Sequence, residues 1–265
     1  MVKKSLRVGP GSSVVERPAV NRKIAGSNPA RGVFSGSPSF LTLHSKVLKP
    51  KRHLEDMEDL PEKVREYVRE KFKDMCESGG GYGYRYFHAL RVMRSAEMYA
   101  RSLKGVDLVA LKLACLLHDI GKLKGNIKCE KDEERHAKEG AKVARRVLKE
   151  FGAKRGLTEK VSKIIEQHHS KSPKLVEAEI LKNADLLDEY GPIAVWRMFS
   201  YSALERKGPE NTVRYWFKEG RKIQLRKLRD FTIEFFKRNA ERRFEACDSF
   251  MRRFKRALNC EDLSP

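Results

Sequence analysis

Several protein classes are excluded by what this 265-residue sequence lacks. Its five cysteines, Cys76, Cys115, Cys129, Cys247 and Cys260, are scattered, odd in number and nowhere spaced C-x-x-C. That usage argues against a disulfide scaffold or a thiolate zinc site and fits a reducing cytoplasm. No uninterrupted apolar run approaches the roughly 18 residues that cross a bilayer, so no membrane partner is expected. The start lacks the apolar segment of about 7 to 15 residues that marks a signal peptide. Walker loop, dinucleotide fingerprint and serine nucleophile elbow are all missing. The glycine run Gly79-Gly80-Gly81-Tyr82-Gly83 has no Lys or Ser at phosphate-loop spacing and reads as a flexible connection.

Strand signals are missing too, and no internal repeat is visible, whereas helical periodicity recurs throughout. Leu60, Val64, Val68 and Phe72 repeat every fourth position, which predicts an amphipathic helix with Pro61 in its first turn. Further helices are expected over 86–102, 106–117, 136–151, 158–168 with Thr158 as its cap, and 176–189, and another starts at Pro192. Residues 122–135 read as a polar loop over the site, and 211–258 as helical with a break near Gly220. The fold class is therefore all-α.

Charge is abundant but uneven. The formal net charge is +21. Residues 1–52 carry 11 Lys or Arg against a single acid, Glu16, and residues 205–258 carry 17 against 8 acids. The intervening chain is nearly balanced. A basic C-terminal region with Tyr215, Trp216 and Phe217 available for base stacking is the feature that would suit a nucleic-acid partner.

The stretch Leu113-Ala-Cys-Leu-Leu-His-Asp-Ile-Gly-Lys122 concentrates the chemistry. The almost wholly apolar segment from Val106 to Leu117 predicts a buried helix, and His118 and Asp119 stand at its end. Burying an imidazole and a carboxylate is costly unless they are paired or hold a cation. Imidazole plus carboxylate suits Mn, Mg, Fe, Ni or Zn. His88, on an earlier helix, and Asp185, which interrupts an apolar helix face, complete a set of four candidate ligands drawn from three helices.

That ordered set, with Leu116-Leu-His-Asp-Ile-Gly-Lys122, Ile165-Glu-Gln-His-His169 and Asn183-Ala-Asp-Leu-Leu-Asp188, resembles the HD-domain superfamily of metal-dependent phosphohydrolases. The resemblance covers roughly residues 86–201. It implies an HD-domain helical bundle with the metal site between helices, His88, His118, Asp119 and Asp185 as metal ligands, and one divalent ion, or two if His136 and either His168 or His169 hold a second. Those three histidines are alternatively substrate contacts. The implied activity is hydrolysis of a phosphomonoester or phosphodiester, of a nucleotide or another phosphorylated small molecule, by metal-activated water. Asp119 would then be a ligand and local proton acceptor. Lys122, three positions on, would offset charge on the phosphoryl group. Asp188, three beyond Asp185, would orient a ligand or a water, or pair with an arginine. The alternative is a nucleic-acid-binding or RNA-end-processing protein that uses the basic C-terminal helices.

Residues 1–56 differ from everything after them. Gly26-Ser-Asn-Pro29 is what the transfer-RNA T-arm consensus GGTTCGAATCC spells in one reading frame, and Ser12-Ser-Val-Val-Glu-Arg17 resembles a translated D-arm. Residues 1–56 are accordingly expected to be a non-native or disordered extension, with Met57 the natural start, 57–205 the metal-binding core, and 206–265 basic helices packed on it.

Overall fold

The structure, a computed structural model, describes residues 52–77, 80–124 and 130–264. The expected extension over 1–56 therefore lies almost wholly outside the described residues. Leu60, Val64, Val68 and Phe72 are all buried, on one stripe of α1 (Arg52–Phe72). The helix starts earlier than the periodicity predicts and runs through Pro61. Proline has helical φ but removes one N–H bond and crowds the carbonyl four residues back, a cost that the buried stripe of α1 offsets.

The centre of the bundle is α3 (Leu108–Leu117), whose residues from Ala110 to Leu117, Lys112 excepted, are fully enclosed. Such a helix can only be surrounded. It is packed by α1, α2 (Tyr84–Ala100), α5 (Arg155–Gln167) and α6 (Val176–Leu187). Asp107 caps it, Oδ1 accepting from the Ala110 N–H at 2.9 Å. Glu177, in the first turn of α6, accepts from the Asp107 N–H at 3.0 Å and pairs with Lys160 at 2.8 Å. One carboxylate thus fixes the starts of α3 and α6 against α5.

A 3-10 turn, Ile120–Lys124, follows α3, and then α4 (Glu130–Glu150). The expected loop over 122–135 is only partly a loop: from Glu130 the chain is helical, so His136 sits inside a helix and not at its start. Glu, Lys and Arg are good helix formers, and acids in a first turn suit the helix dipole. Thr158 is likewise not a cap. Lys154 holds the N-cap position of α5, and Thr158 is buried within the helix. Where a flexible connection was expected, Cys76–Glu77 and Gly81–Tyr82 pair as a small antiparallel bridge.

Beyond the bundle, α7 (Pro192–Leu204) begins at Pro192 as expected. A nearly continuous helix follows: α8 (Pro209–Tyr215), a π turn at Trp216–Gly220, and α9 (Arg221–Lys227). The long α10 (Glu234–Leu258) packs on α6, α7 and α8, and its Phe236, Phe244 and Met251 share one apolar core with Leu113 and Leu181. Asn183 fastens this layer, with Oδ1 accepting from the Thr232 and Ile233 N–H groups at 3.0 and 3.1 Å. Trp216 is fully buried and donates to Asp248 at 3.0 Å, and Phe217 lies under Arg252 and Lys255. Of the three aromatics expected to be open to bases, only Tyr215 remains substantially exposed, because the helix turns its neighbours onto the core. Among the described residues no helix is long and apolar enough to cross a membrane.

Candidate metal centre

Three helical segments aim polar side chains at one place beside the end of α3. His88 comes from the first turns of α2, His118 and Asp119 from the end of α3, and Asp185 from the last turn of α6. His88 Nε2 lies 3.2 Å from His118 Nε2, 3.1 Å from Asp185 Oδ1 and 3.5 Å from Asp119 Oδ2. His118 Nε2 lies 3.5 Å from Asp119 Oδ1 and 3.6 Å from Asp185 Oδ1. Both imidazoles and Asp119 are buried.

The far nitrogen of each ring is already committed. His88 Nδ1 donates to Asp188 Oδ2 at 2.8 Å, and His118 Nδ1 donates to the Cys115 carbonyl at 2.8 Å. Both acceptors can only accept, so each ring's Nδ1 carries hydrogen and its Nε2 points at the cluster. Asp188 also receives a two-pronged contact from Arg91, 2.7 and 2.8 Å. It therefore stands behind His88 and both orients the ligand and pairs with an arginine; it does not face the cluster itself.

The α4 side brings a second group. His136, His168 and His169 form a triad of rings, and His136 Nε2 is 3.2 Å from His169 Nε2 and 3.7 Å from Asp119 Oδ1. His168 is fully buried, its Nδ1 donates to the Ile165 carbonyl at 2.5 Å, and its Nε2 has no hydrogen-bond partner. His168 and His169 both join the group, so the sequence-level choice between them does not arise. α4 is close enough because Gly121 and Gly140 meet backbone to backbone. A Cβ at Gly121 would collide with the His136 carbonyl.

Electrostatics follow from this crowding. Burial alone would lower the His88 pKa, but its hydrogen bonds to Asp185 and Asp188, and the Asp119 charge, hold it up at about 9. Burial would raise Asp119, but Lys122, His118, Arg85 and His88 keep it well below the carboxylate range. Lys122 Nζ is 2.7 Å from Oδ1, an ion contact without hydrogen-bond alignment, and Arg85 donates to Oδ2 at 2.6 Å. Asp185 is depressed likewise: burial is outweighed by hydrogen bonds from His118 and His88. Burial, with Lys122, His169 and His118 adding to it, lowers His136 to about 4 despite Asp119, and burial with His169 and His118 pushes His168 well below 6.5.

With this geometry in hand, the sequence profile of the HD domain matches residues 85–190, a span from α2 through α6 that contains every one of these ligand-type residues. Residues 85–190 of this chain are an HD domain. Among solved structures, a predicted HD superfamily hydrolase from an uncultured Thermotogales bacterium is 28% identical, with a TM-score of 0.52, over 74% of this chain and 92% of its own. An HD-superfamily hydrolase from Bacillus thuringiensis is 19% identical, TM-score 0.55, over 77% and 98%. Bacillus subtilis YpgQ in complex with ADP is 18% identical, TM-score 0.54, over 76% and 96%. The last two speak for the fold alone. No curated protein matches the chain.

The donor set of this HD domain fits a divalent cation. Bonds of about 2.1 Å to oxygen or nitrogen give polyhedron edges of about 3.0–3.4 Å, close to the 3.2–3.5 Å separations of His88 from His118 and of Asp119 from both, and to the 3.1 and 3.6 Å of Asp185 from the two histidines. Two imidazole lone pairs at 3.2 Å repel unless a proton or a cation lies between them. The buried lone pair of His168 Nε2, which has no partner among the described residues, adds a further ligand atom.

The sequence reading overlooked Arg85, Arg91 and Tyr84. Both arginines lie three positions from His88 and so share its helix face, which was a readable signal. Tyr84 stacks on His88, and the guanidinium groups of Arg85, Arg91 and Arg197 lie 5.8, 5.3 and 5.0 Å from its ring centre. Arg197 lies far along the chain, and no spacing pointed to it.

Proposed function

We propose that this HD-domain protein is a metal-dependent phosphohydrolase that cleaves a phosphoester of a nucleotide. The observation that carries the reading is the convergence of His88, His118, Asp119 and Asp185 with both imidazole Nδ1 protons committed elsewhere. His136, His168 and His169 supply donors for a second ion, with Asp119 Oδ1 near both groups. When bound, a divalent cation makes water acidic enough to be deprotonated near neutral pH and offsets charge on a phosphoryl group.

The chain's own residues set the stage for that chemistry. Asp188 fixes the His88 ring, and Arg91 fixes Asp188. Arg85 and Lys122 keep Asp119 ionised and leave cationic groups at the edge of the cluster, where a phosphate would meet them. Asp185 is the most accessible of the carboxylates, its side chain 22% exposed, and its depressed pKa keeps it an anionic ligand. The nucleotide is proposed by analogy with YpgQ, which shares the fold and is seen in complex with ADP. Cys115 and Cys247, free and buried, support a cytoplasmic location.

The test is phosphate or nucleoside release by the purified chain, stripped of metal and resupplied with Mn, Mg, Fe, Ni or Zn. Nucleoside mono-, di- and triphosphates and cyclic nucleotides are the substrates. Activity should require metal and vanish in Asp119→Asn. Hydrolysis that survives Asp119→Asn, or a chain that binds no divalent ion, would overturn the reading.

A further inference from the structure

Outside the HD-domain match, a cavity of about 760 Å³ opens between α7 and the helix from Pro209 to Lys227. Its size falls within the range of about 300–1,000 Å³ typical of small-molecule sites. We propose that it binds a nucleoside phosphate as an effector, separately from the metal centre.

Charge selects an anion. Arg197, Lys207, Arg214, Lys218 and Lys227 line the cavity against only Glu189 and Glu219. Glu189 is engaged with Lys227 at 2.5 Å. Among the described residues neither Arg214 nor Lys218 has an acidic partner, and both are exposed. Basic groups that no acid neutralises raise the local concentration of phosphate-bearing ligands.

Shape and polarity select a planar ring beside that anion. Tyr201 and Tyr215 are 48% and 47% exposed, and both face the cavity with Met198 and Ile223. A half-exposed aromatic beside apolar side chains is a stacking platform for a base. Gly220 leaves room for the Tyr215 ring, since a Cβ there would lie 3.1 Å from Cε1. This glycine ends a π turn, an insertion that recurs at functional sites. Gln224 adds the polar element. Its Nε2 donates to the Glu189 carbonyl at 3.0 Å, which fixes the amide's orientation, and its buried Oε1 has no partner among the described residues. An acceptor enclosed without a donor is unfavourable, and the exocyclic amine of a base would satisfy it.

Arg197 supplies the route to the catalytic side. It lines the cavity, and its guanidinium lies over Tyr84, whose ring stacks on His88 at 6.0 Å. Occupancy would thus be felt at a metal ligand through one arginine and one tyrosine.

The test measures binding of ATP and GTP, with pyrophosphate and short RNA in parallel, by calorimetry in excess chelator. Wild type, Asp119→Asn, Arg214→Glu, Lys218→Glu and Tyr215→Ala are compared. The proposal predicts binding that persists in metal-free wild type and in Asp119→Asn and weakens at least tenfold in the other three, each of which alters an exposed side chain. Four results would overturn it: no nucleotide binding, binding lost in Asp119→Asn, pyrophosphate binding that equals ATP and ignores Tyr215→Ala, or RNA binding without mononucleotide binding. None depends on whether the metal centre hydrolyses anything, so failure here is distinct from failure of the hydrolase reading.

Discussion

His88 Nε2 and His118 Nε2 face each other at 3.2 Å while both rings spend their Nδ1 protons elsewhere, on Asp188 and on the Cys115 carbonyl. Two such nitrogens cannot sit together as bare lone pairs. In the metal-free protein the elevated His88 pKa of about 9 supplies the proton that separates them. A bound cation held by the same two nitrogens would displace that proton, so metal and proton would compete.

Metal affinity should therefore rise with pH. His88 must lose a proton to serve as a ligand, so binding weakens about tenfold per unit as pH falls below about 9 and levels off above it. Calorimetry in buffers of different ionisation enthalpy would detect the released proton. Affinity independent of pH between 7 and 9 would contradict the assignment.

The same shift has a stability sign. A histidine whose folded pKa is raised from 6.5 to about 9 stabilises the fold fully below 6.5 and ceases to as pH climbs through 9. The metal-free chain should lose stability over that interval, and the metal-loaded chain should lose much less. Urea melts at pH 6.5, 8 and 9.5, with and without metal, decide it.

Asp188→Asn should lower metal affinity by about 10- to 100-fold, as is usual when a residue behind a metal-binding imidazole is changed. It weakens the hold on His88 Nδ1 and unpairs Arg91. Metal content after dialysis against a buffered metal series is the readout. Unchanged affinity would mean that His88 is fixed by packing alone.

Gly121→Ala should destabilise by at least about 2 kcal/mol, in the range of core overpacking. The added methyl meets the His136 carbonyl and must push α4 away from the turn after Asp119. A folded variant should also lose any ion held by His136, His168 and His169 before the ion at His88 and His118. Denaturant titration and metal stoichiometry check the two parts separately.

Trp216→Ala should cost about 3–5 kcal/mol, the range for a large buried aromatic, because Trp216 is enclosed and bonded to Asp248. Trp216→Phe should fold and leave any affinity for RNA unchanged. A specific loss of RNA binding in the Phe variant would return Trp216 to the stacking role its sequence context suggests.

The ligand types at the metal centre were legible before any coordinates. A histidine and an aspartate at the end of an apolar helix are expensive to bury, and matching residues on two other helices share the explanation. The all-α class was equally legible, because buried stripes such as Leu60, Val64, Val68 and Phe72 repeat at helical period. Boundaries were less so. Pro61 locally disfavours a helix interior, which the buried stripe of α1 overrode, whereas the charged run before His136 favours helix but carries no apolar period to mark it.

What the sequence by itself determined is the chemistry available: which side chains can hold a cation, and that they ride on helices. What only the tertiary structure decided is the company they keep. Arg85 and Lys122 hold Asp119, Asp188 stands behind His88, and Gly121 lets His136 approach the centre. Trp216 is turned into the core while Tyr215 is left facing a cavity. Those relations depend on how helices distant in the chain cross and pack, which no local pattern of residues encodes.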